Sequence, residues 1–248
     1  MGAALAAIAF VPGLALGSFL NVVAARAPLR RSVVHPGSAC MSCATPIAWY
    51  DNLPIVSYLF LRGRCRSCGE TIPWKYPLVE FLTALLVGAS VLAFGFSAEA
   101  AVASFFCAAL VAVSVVDLER RIIPNRIVLP AAAVVLAAQT LLFPSPEWAL
   151  AAFAAALFLF LAALAYPAGM GMGDVKLALL LGAMLGRTVP VAMMIAMIAA
   201  LVPAIVLLIR HGSAARKMGI PFGPFLAFGG IVGLFAGDWI LDAYLGLL

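Results

Sequence analysis

Charged side chains are scarce in this sequence: 10% of its 248 residues are Asp, Glu, Lys or Arg, whereas 66% are hydrophobic. The mean hydropathy is +1.16, which excludes a soluble globular domain because such domains carry about a quarter charged residues. Neither His35 nor His211 has a second histidine near it in the sequence. A glycine-rich strand-to-helix turn of the nucleotide-binding kind is also absent from the sequence. The high hydrophobic content and the low charge indicate a polytopic membrane protein.

Long apolar runs fill most of the chain, and a membrane-spanning helix needs roughly 20 such residues. The sequence therefore predicts an all-α polytopic membrane protein with about eight transmembrane helices. We expect the first to be a retained helix, because it has no basic region before it and leads straight into Arg26. The sixth is short and is expected to be buried among its neighbours. The predicted segments are 2–23, 76–96, 99–118, 126–143, 148–166, 174–186, 188–209 and 223–247.

The basic residues are placed asymmetrically along the chain. If the N-terminus is outside, 14 of the 15 Lys and Arg residues fall on one side, and only Arg187 lies opposite. The positive-inside rule makes the basic side the cytoplasm. The net charge of +5 therefore reflects membrane insertion, and no nucleic-acid partner is predicted. The basic residues of that side lie at 26–75, 120–126, 176 and 210–217.

Four of the five cysteines lie in a polar insert, residues 27–75, between the first two predicted helices. They form two C-x-x-C pairs about twenty residues apart, the pattern of a zinc ribbon with an all-cysteine tetrahedral site. Thiolate ligation is favoured over disulfides because this insert is predicted to face the reducing cytoplasm. Redox chemistry and unliganded thiols are the alternatives. Since so small an insert buries little apolar surface, one structural zinc ion is expected to stabilise it. The predicted ligands are Cys40, Cys43, Cys65 and Cys68.

Two acidic residues are predicted at cytoplasmic helix ends: Asp117 closes the third segment and Asp174 opens the sixth. Two carboxylates brought close together share one proton. One can then act as general base on water while the other donates to a carbonyl oxygen, as in an aspartic peptidase. Two other readings stay open on the residues alone. The acids could cap helices or pair with arginines, or they could relay protons in a proton-coupled transporter with a regulatory zinc module.

Residues 171–177, Gly-Met-Gly-Asp-Val-Lys-Leu, resemble the G-x-G-D motif of membrane aspartyl peptidases, and specifically that of the type IV prepilin peptidases. Seven further features resemble the same family in the same order, so the resemblance covers nearly the whole chain. One departure is Ala-Ala-Arg-Ala-Pro at 24–28, which leaves the two catalytic positions untouched. The seven features are 17–23, the double C-x-x-C insert, 51–54, 62–65, 76–80, Asp117 with Ile123 and Pro124, and 221–224.

The resemblance implies an enzyme of the bacterial inner membrane with two activities. The first removes the basic leader of type IV prepilins and type II secretion pseudopilins, cutting after Gly and typically before Phe. The second methylates the new N-terminal amine with S-adenosylmethionine, and the tetracysteine insert is associated with members that methylate. By this resemblance, Asp117 and Asp174 are the catalytic pair, Gly171, Gly173 and Lys176 support them, and Gly63 and Glu80 mark the methyltransferase region.

Three domains are predicted: the first transmembrane helix at 1–26, the zinc-binding insert at 27–75, and a seven-helix aspartyl peptidase domain at 76–248. The two glycines before Asp174 are expected to give the backbone unusual conformations and to let substrate approach closely. Asp174 begins a helix near Lys176, so it is expected to ionise more easily. Asp117 ends a helix and is expected to hold the shared proton.

Overall fold

The structure, a computed structural model, describes residues 2–166, 169–212 and 219–247. Part of the basic stretch 210–217 therefore lies outside the described residues. Helices make up all the long regular elements of the described chain, which confirms the predicted fold class. The nine helices of the described chain are α1 Gly2–Arg26, α2 Val56–Phe60, α3 Lys75–Phe94, α4 Ala98–Arg120, α5 Asn125–Leu142, α6 Glu147–Ala165, α7 Met172–Leu185, α8 Val189–His211 and α9 Gly223–Leu245.

Eight of these helices match the eight predicted segments, and α2 lies in the polar insert. By length and apolar composition, seven helical runs of the described chain could cross a membrane. The number is seven rather than the predicted eight because the sixth and seventh predicted segments fall in one run of 40 residues, Met172–His211. Within that run α7 has only 14 residues, and it ends at Gly186, whose φ of +53° interrupts the helix.

The chain folds into two compact units, residues Met1–Ala112 and Val113–Leu248, with the boundary inside α4. In the first unit α1 packs closely on α3 through two glycines one helical turn apart. A Cβ added at Gly13 would lie 2.7 Å from the Cα of Ala84, and one at Gly17 would lie 2.5 Å from the Cα of Glu80. Small residues at this spacing allow two helix backbones to touch in a membrane. Glu80 is thereby fixed at the crossing of α1 and α3.

In the second unit α7 is the most enclosed helix, and it packs on α5, α6 and α9. Two polar contacts show that α5 and α7 run in the same direction. The Lys176 ammonium donates to Asn125 Oδ1 (2.9 Å) near the start of both helices. The Gln139 amide donates to the Met184 carbonyl (3.4 Å) near the end of both. α5 and α7 therefore begin at the same end of the unit and lie parallel to each other.

α8 runs in the direction opposite to α9, as the contacts between these two helices show. A Cβ at Gly237 would meet Thr188, whereas one at Gly229 would meet Ala192 and Ala196, so the two helices are antiparallel. The turn at Gly186 therefore separates two crossings, a short one and a long one. Next to this turn, the Arg187 guanidinium donates to Asp238 Oδ1 (2.7 Å) in α9.

Candidate active site and metal centre

The first predicted catalytic acid, Asp117, lies in the last turn of α4, in the second unit. Its side chain is buried, with 5% of its surface exposed. Asp117 Oδ2 accepts a hydrogen bond from the backbone N–H of Gly223 (2.9 Å), the first residue of α9. The carboxylate therefore faces the positive end of the α9 helix dipole as well as the end of its own helix.

Asp174, the second predicted acid, lies in the first turn of α7 and is also buried. Its Oδ2 accepts the backbone N–H of Gly171 (3.2 Å), so the side chain caps its own helix. Asp117 and Asp174 are close enough to interact electrostatically. Sequence reasoning about helix ends is thus correct in bringing both acids to one end of the unit.

Each carboxylate has one oxygen held by a backbone amide. This arrangement fixes both side chains while leaving the second oxygen of each outside these two bonds. Two carboxylates held close together can share one proton. Such a pair can take a proton from water and give one to a carbonyl oxygen, which is acid–base chemistry suited to hydrolysis of an amide bond.

The structure adds a second helix end to the surroundings on which the expected difference in ionisation between the two acids depends. Asp117 lies in the last turn of α4 and also against the N-terminus of α9, so it faces helix ends of opposite sign, whereas Asp174 lies at a helix N-terminus. The Lys176 ammonium donates to Asn125. Lys176 therefore joins the starts of α5 and α7, and which of the two acids holds the shared proton stays a prediction.

The unusual backbone conformation expected for the two glycines before Asp174 is wrong, whereas the close approach of substrate to them stays a prediction. Gly171 has ordinary extended dihedral angles, φ −85° and ψ 149°, and Gly173 is helical. A Cβ at Gly173 would lie 2.8 Å from the Cβ of Ile123. Gly173 is therefore needed for close packing of the loop after α4 against α7, rather than for an unusual backbone conformation.

Gly223 is a site residue whose role the sequence did not reveal. A Cβ at this position would lie 2.7 Å from Asp117 Oδ2, whereas one at Gly171 would lie 3.6 Å from Asp174 Oδ2. We expect Gly223→Ala to displace the Asp117 carboxylate and to lower the peptidase kcat about 100-fold, since small misplacements of catalytic groups carry costs of this size. Gly171→Ala, the matched control, is expected to stay within about threefold of wild type in the same assay. Equal losses in the two variants would contradict this account.

The polar insert contains two C-x-x-C loops of the same backbone form, both in the first unit. In the first, the N–H of Cys40 donates to Thr45 (3.0 Å) and the N–H of Ala44 donates back to Cys40 (3.0 Å). In the second, the N–H of Cys65 donates to the Glu70 carbonyl (2.8 Å) and the N–H of Gly69 donates to the Cys65 carbonyl (2.9 Å). The residue after each second cysteine has positive φ, 57° at Ala44 and 73° at Gly69.

The four sulfur atoms of these loops, from Cys40, Cys43, Cys65 and Cys68, lie within 4.8 Å of one another and could hold a metal ion. Sulfur atoms of a tetrahedral Zn–S₄ site with bonds of about 2.3 Å are roughly 3.8 Å apart. The Sγ atoms of Cys40 and Cys68 are 3.8 Å apart. The cysteines therefore fit a tetrahedral metal ion by both distance and chemistry.

The lowered pKa values of two of the four thiols also favour a cation between them. The hydrogen bond with Thr45 is the main cause that lowers the pKa of Cys43 to about 6. Backbone amides of Cys68 and Ser67 lower the pKa of Cys65. The pKa of Cys68 is raised to about 12, since the Glu70 amide is outweighed by desolvation and by the other thiols. Four thiolates together need a metal ion to offset their mutual repulsion.

A cavity of about 310 Å³ lies in the first unit, between α1, the insert and α3, and Cys40 and Cys65 of the thiol cluster are among its lining residues. Of the two residues of the predicted methyltransferase region, one lines this cavity and the other contacts a lining residue. Glu80 lines the cavity, and Gly63, with φ +66°, is in close contact with the ring of Tyr58, which also lines it. At the cavity wall Arg66 donates to Asp51 (2.6 Å), and this bond lowers the pKa of Asp51.

Comparison with known proteins shows two matching family descriptions, "Bacterial Peptidase A24 N-terminal domain" at residues 11–94 and "Type IV leader peptidase family" at residues 104–208. The chain is also similar to proteins named prepilin leader peptidase/N-methyltransferase. The Bacillus subtilis (strain 168) protein is 37% identical over 244 residues, which cover 96% of this chain and 97% of that protein. The Pseudomonas aeruginosa protein is 35% identical over 264 residues, which cover 94% of this chain and 91% of that protein. No solved structure matches the chain.

Proposed function

This chain belongs to the type IV leader peptidase family, and we propose that it removes the basic leader of type IV prepilins and type II secretion pseudopilins, then methylates the new N-terminus. The observation that carries the peptidase half is the pair of buried, electrostatically coupled carboxylates, Asp117 and Asp174, each held by a backbone amide. The relatives named above support both halves. They give no support to the proton-coupled transporter.

In the peptidase reaction one carboxylate of the pair is ionised and takes a proton from water. The water oxygen attacks the carbonyl carbon of the Gly residue before the cut, and the protonated carboxyl donates to the carbonyl oxygen. Collapse of the tetrahedral intermediate breaks the C–N bond and returns a proton to the leaving amine. The bonds from Gly223 and Gly171 keep both side chains in place during these transfers.

The methyltransferase half is assigned to the first unit. We place one structural zinc ion among the four cysteines, where it would hold the two C-x-x-C loops together. We place S-adenosylmethionine in the cavity beside Gly63 and Glu80, whose volume suits a small-molecule ligand. The methyl donor supplies an electrophilic carbon on a positively charged sulfur, and the surrounding residues would orient it and exclude water.

The protein is a multi-pass membrane protein. We propose that it lies in the bacterial inner membrane with its N-terminus outside, and with both the insert and the two aspartates on the cytoplasmic side. The placement of the basic residues supports this orientation, because 14 of 15 fall on that side. A prepilin would then keep its basic leader in the cytoplasm while its apolar helix lies in the bilayer.

The test uses the detergent-solubilised full chain with a prepilin and isotopically labelled S-adenosylmethionine, analysed by mass spectrometry. We expect the leader to be lost and the shortened product to gain one methyl group at its N-terminus. A prepilin with Val in place of the Gly before the cut serves as the control and should stay intact. An uncleaved natural prepilin would contradict the peptidase assignment, and a cleaved but unlabelled product would contradict the methyltransferase assignment.

A further inference from the structure

Glu80 is a buried carboxylate in the first unit that the peptidase mechanism does not use. It belongs to α3, and only 8% of its surface is exposed. The close approach of Gly17 fixes its backbone, and the Ser18 side chain forms a hydrogen bond with its carboxylate. Burial of a carboxylate is costly unless its charge is used or compensated. Packing alone therefore does not account for a carboxylate at this position.

The insert approaches this carboxylate through a strained residue. The backbone N–H of Ile55 donates to Glu80 Oε2 (2.8 Å), and Ile55 has φ +60° and ψ −48°. Positive φ is unusual for a β-branched residue and costs of the order of 1–3 kcal/mol. Strain of this kind is concentrated at functional sites.

Glu80 differs from the other acids that line the same cavity. Asp51 is engaged by the Arg66 guanidinium, and Glu70 is exposed and accepts a hydrogen bond from the Thr71 amide. Glu80 is the buried carboxylate among the three, and the partners shown for it are the neutral groups of Ile55 and Ser18. A cationic group that entered the cavity would find its strongest partner there.

Methyl transfer to an amine presents such a cation. The new N-terminus of a cleaved substrate is an ammonium group at neutral pH, since α-amino groups have pKa values of about 7.7–8.0. An ammonium nitrogen has no lone pair and cannot attack a methyl carbon. Any site that methylates this amine near pH 7 therefore benefits from an acceptor for its proton.

We propose that Glu80 binds the N-terminal ammonium group of the cleaved substrate and accepts its proton for methyl transfer, which rests on the proposed methyltransferase function. One N–H proton moves to the Glu80 carboxylate, and the freed nitrogen lone pair forms the new N–C bond. The bond from the methyl carbon to sulfur breaks, and its electron pair stays on sulfur, giving a neutral thioether. The Ile55 N–H and Ser18 hold the carboxylate towards the amine.

The first test measures binding in the absence of the methyl donor. A mature pilin peptide with a free N-terminal Phe, and the same peptide acetylated at its N-terminus, are titrated against detergent-solubilised full-length protein. Wild type should bind the free amine at least about tenfold more tightly, as expected for a charge-assisted hydrogen bond. Glu80→Gln should bind both peptides equally. It keeps an acceptor oxygen for Ile55, so the insert stays folded. Glu70→Gln, the matched control at the cavity edge, should behave as wild type.

The second test follows methyl transfer to the same peptide between pH 6 and pH 9. In Glu80→Gln the rate should rise about tenfold per pH unit until it levels near the pKa of the free amine, whereas the wild-type rate should change far less. The proposal would be overturned if Glu80→Gln distinguished the free from the acetylated peptide as well as wild type does and transferred the methyl group at the wild-type rate. So would an equal loss at every pH, or weaker binding of the methyl donor in place of the amine.

The two tests separate this proposal from the function on which it rests. If wild type transfers no methyl group to any peptide, the methyltransferase assignment fails and the proton-acceptor role fails with it. If wild type methylates the peptide but Glu80→Gln matches it in both tests, only the role of Glu80 fails. Binding of the free amine by wild type, lost in Glu80→Gln, supports the amine site independently of catalysis.

Discussion

Replacement of Asp117 or Asp174 with Asn is expected to lower prepilin cleavage by roughly 10⁴-fold in each single variant. Asn has the size of Asp but cannot exchange a proton with water or with a substrate carbonyl, and each acid of a coupled pair is needed for the cycle. The double variant should be little worse than either single variant, because residues that act as a unit are not additive. Cleavage rates measured by mass spectrometry on the solubilised protein check this expectation.

Methyl transfer provides the internal control for these variants. A pre-cleaved pilin peptide needs no peptidase, and the cavity assigned to methylation lies in the other compact unit. Both Asn variants should therefore methylate this peptide at a rate within about twofold of wild type, because substitutions that share no partners with a site usually act independently of it. If either Asn variant still cleaved prepilin near the wild-type rate at neutral pH, the two-aspartate mechanism would be refuted.

Removal of the metal is expected to unfold the insert. Structural zinc in small cysteine sites contributes roughly 10–16 kcal/mol, which exceeds what a segment of about fifty residues obtains from apolar burial. Cys43→Ser, or treatment with a strong chelator, should reduce bound zinc from one ion per chain and make residues 27–75 sensitive to protease. Methylation of the pre-cleaved peptide should fall below detection. Metal analysis and limited proteolysis provide the measurements.

Cys107 offers the matched cysteine for this experiment. It lies buried in α4, away from the four clustered thiols in sequence, and it is not a member of the sulfur group. Cys107→Ala should keep one zinc ion and a protease-resistant insert. A Cys43→Ser protein with full zinc content and unchanged protease resistance would show that the four thiols do not form a structural metal site.

Apolar length and cysteine spacing were sufficient to predict the helices and the close approach of the four thiols. These features depend on local pattern, since a spanning helix needs a run of apolar residues and a C-x-x-C loop brings its own two sulfurs together. The short α7 was also expected from its sequence. The boundaries shifted by a few residues, as at Arg26, which ends α1 three residues beyond the predicted segment.

The partners of the site residues could not be predicted in the same way. The contact of Gly223 with Asp117 joins residues 106 positions apart, and that of Ile55 with Glu80 joins residues 25 apart. Both use backbone N–H groups, which every residue except proline carries. A backbone donor therefore leaves no mark in the residue types. Segments 221–224 and 76–80 were identified by resemblance, but their roles depend on tertiary contacts.

The 14 residues of α7 have a consequence for the membrane itself. At 1.5 Å per residue this helix is about 21 Å long, whereas the hydrocarbon layer is about 30 Å thick. If Arg187 lies at the far interface, as the predicted orientation places it, the opposite end of α7 stops several ångströms short of the near lipid headgroups. Asp174 would thus lie below the level of the headgroups, among the helices that enclose α7. A peptide bond would reach it only after unwinding from the lipid-facing helix and sinking beneath the headgroup layer.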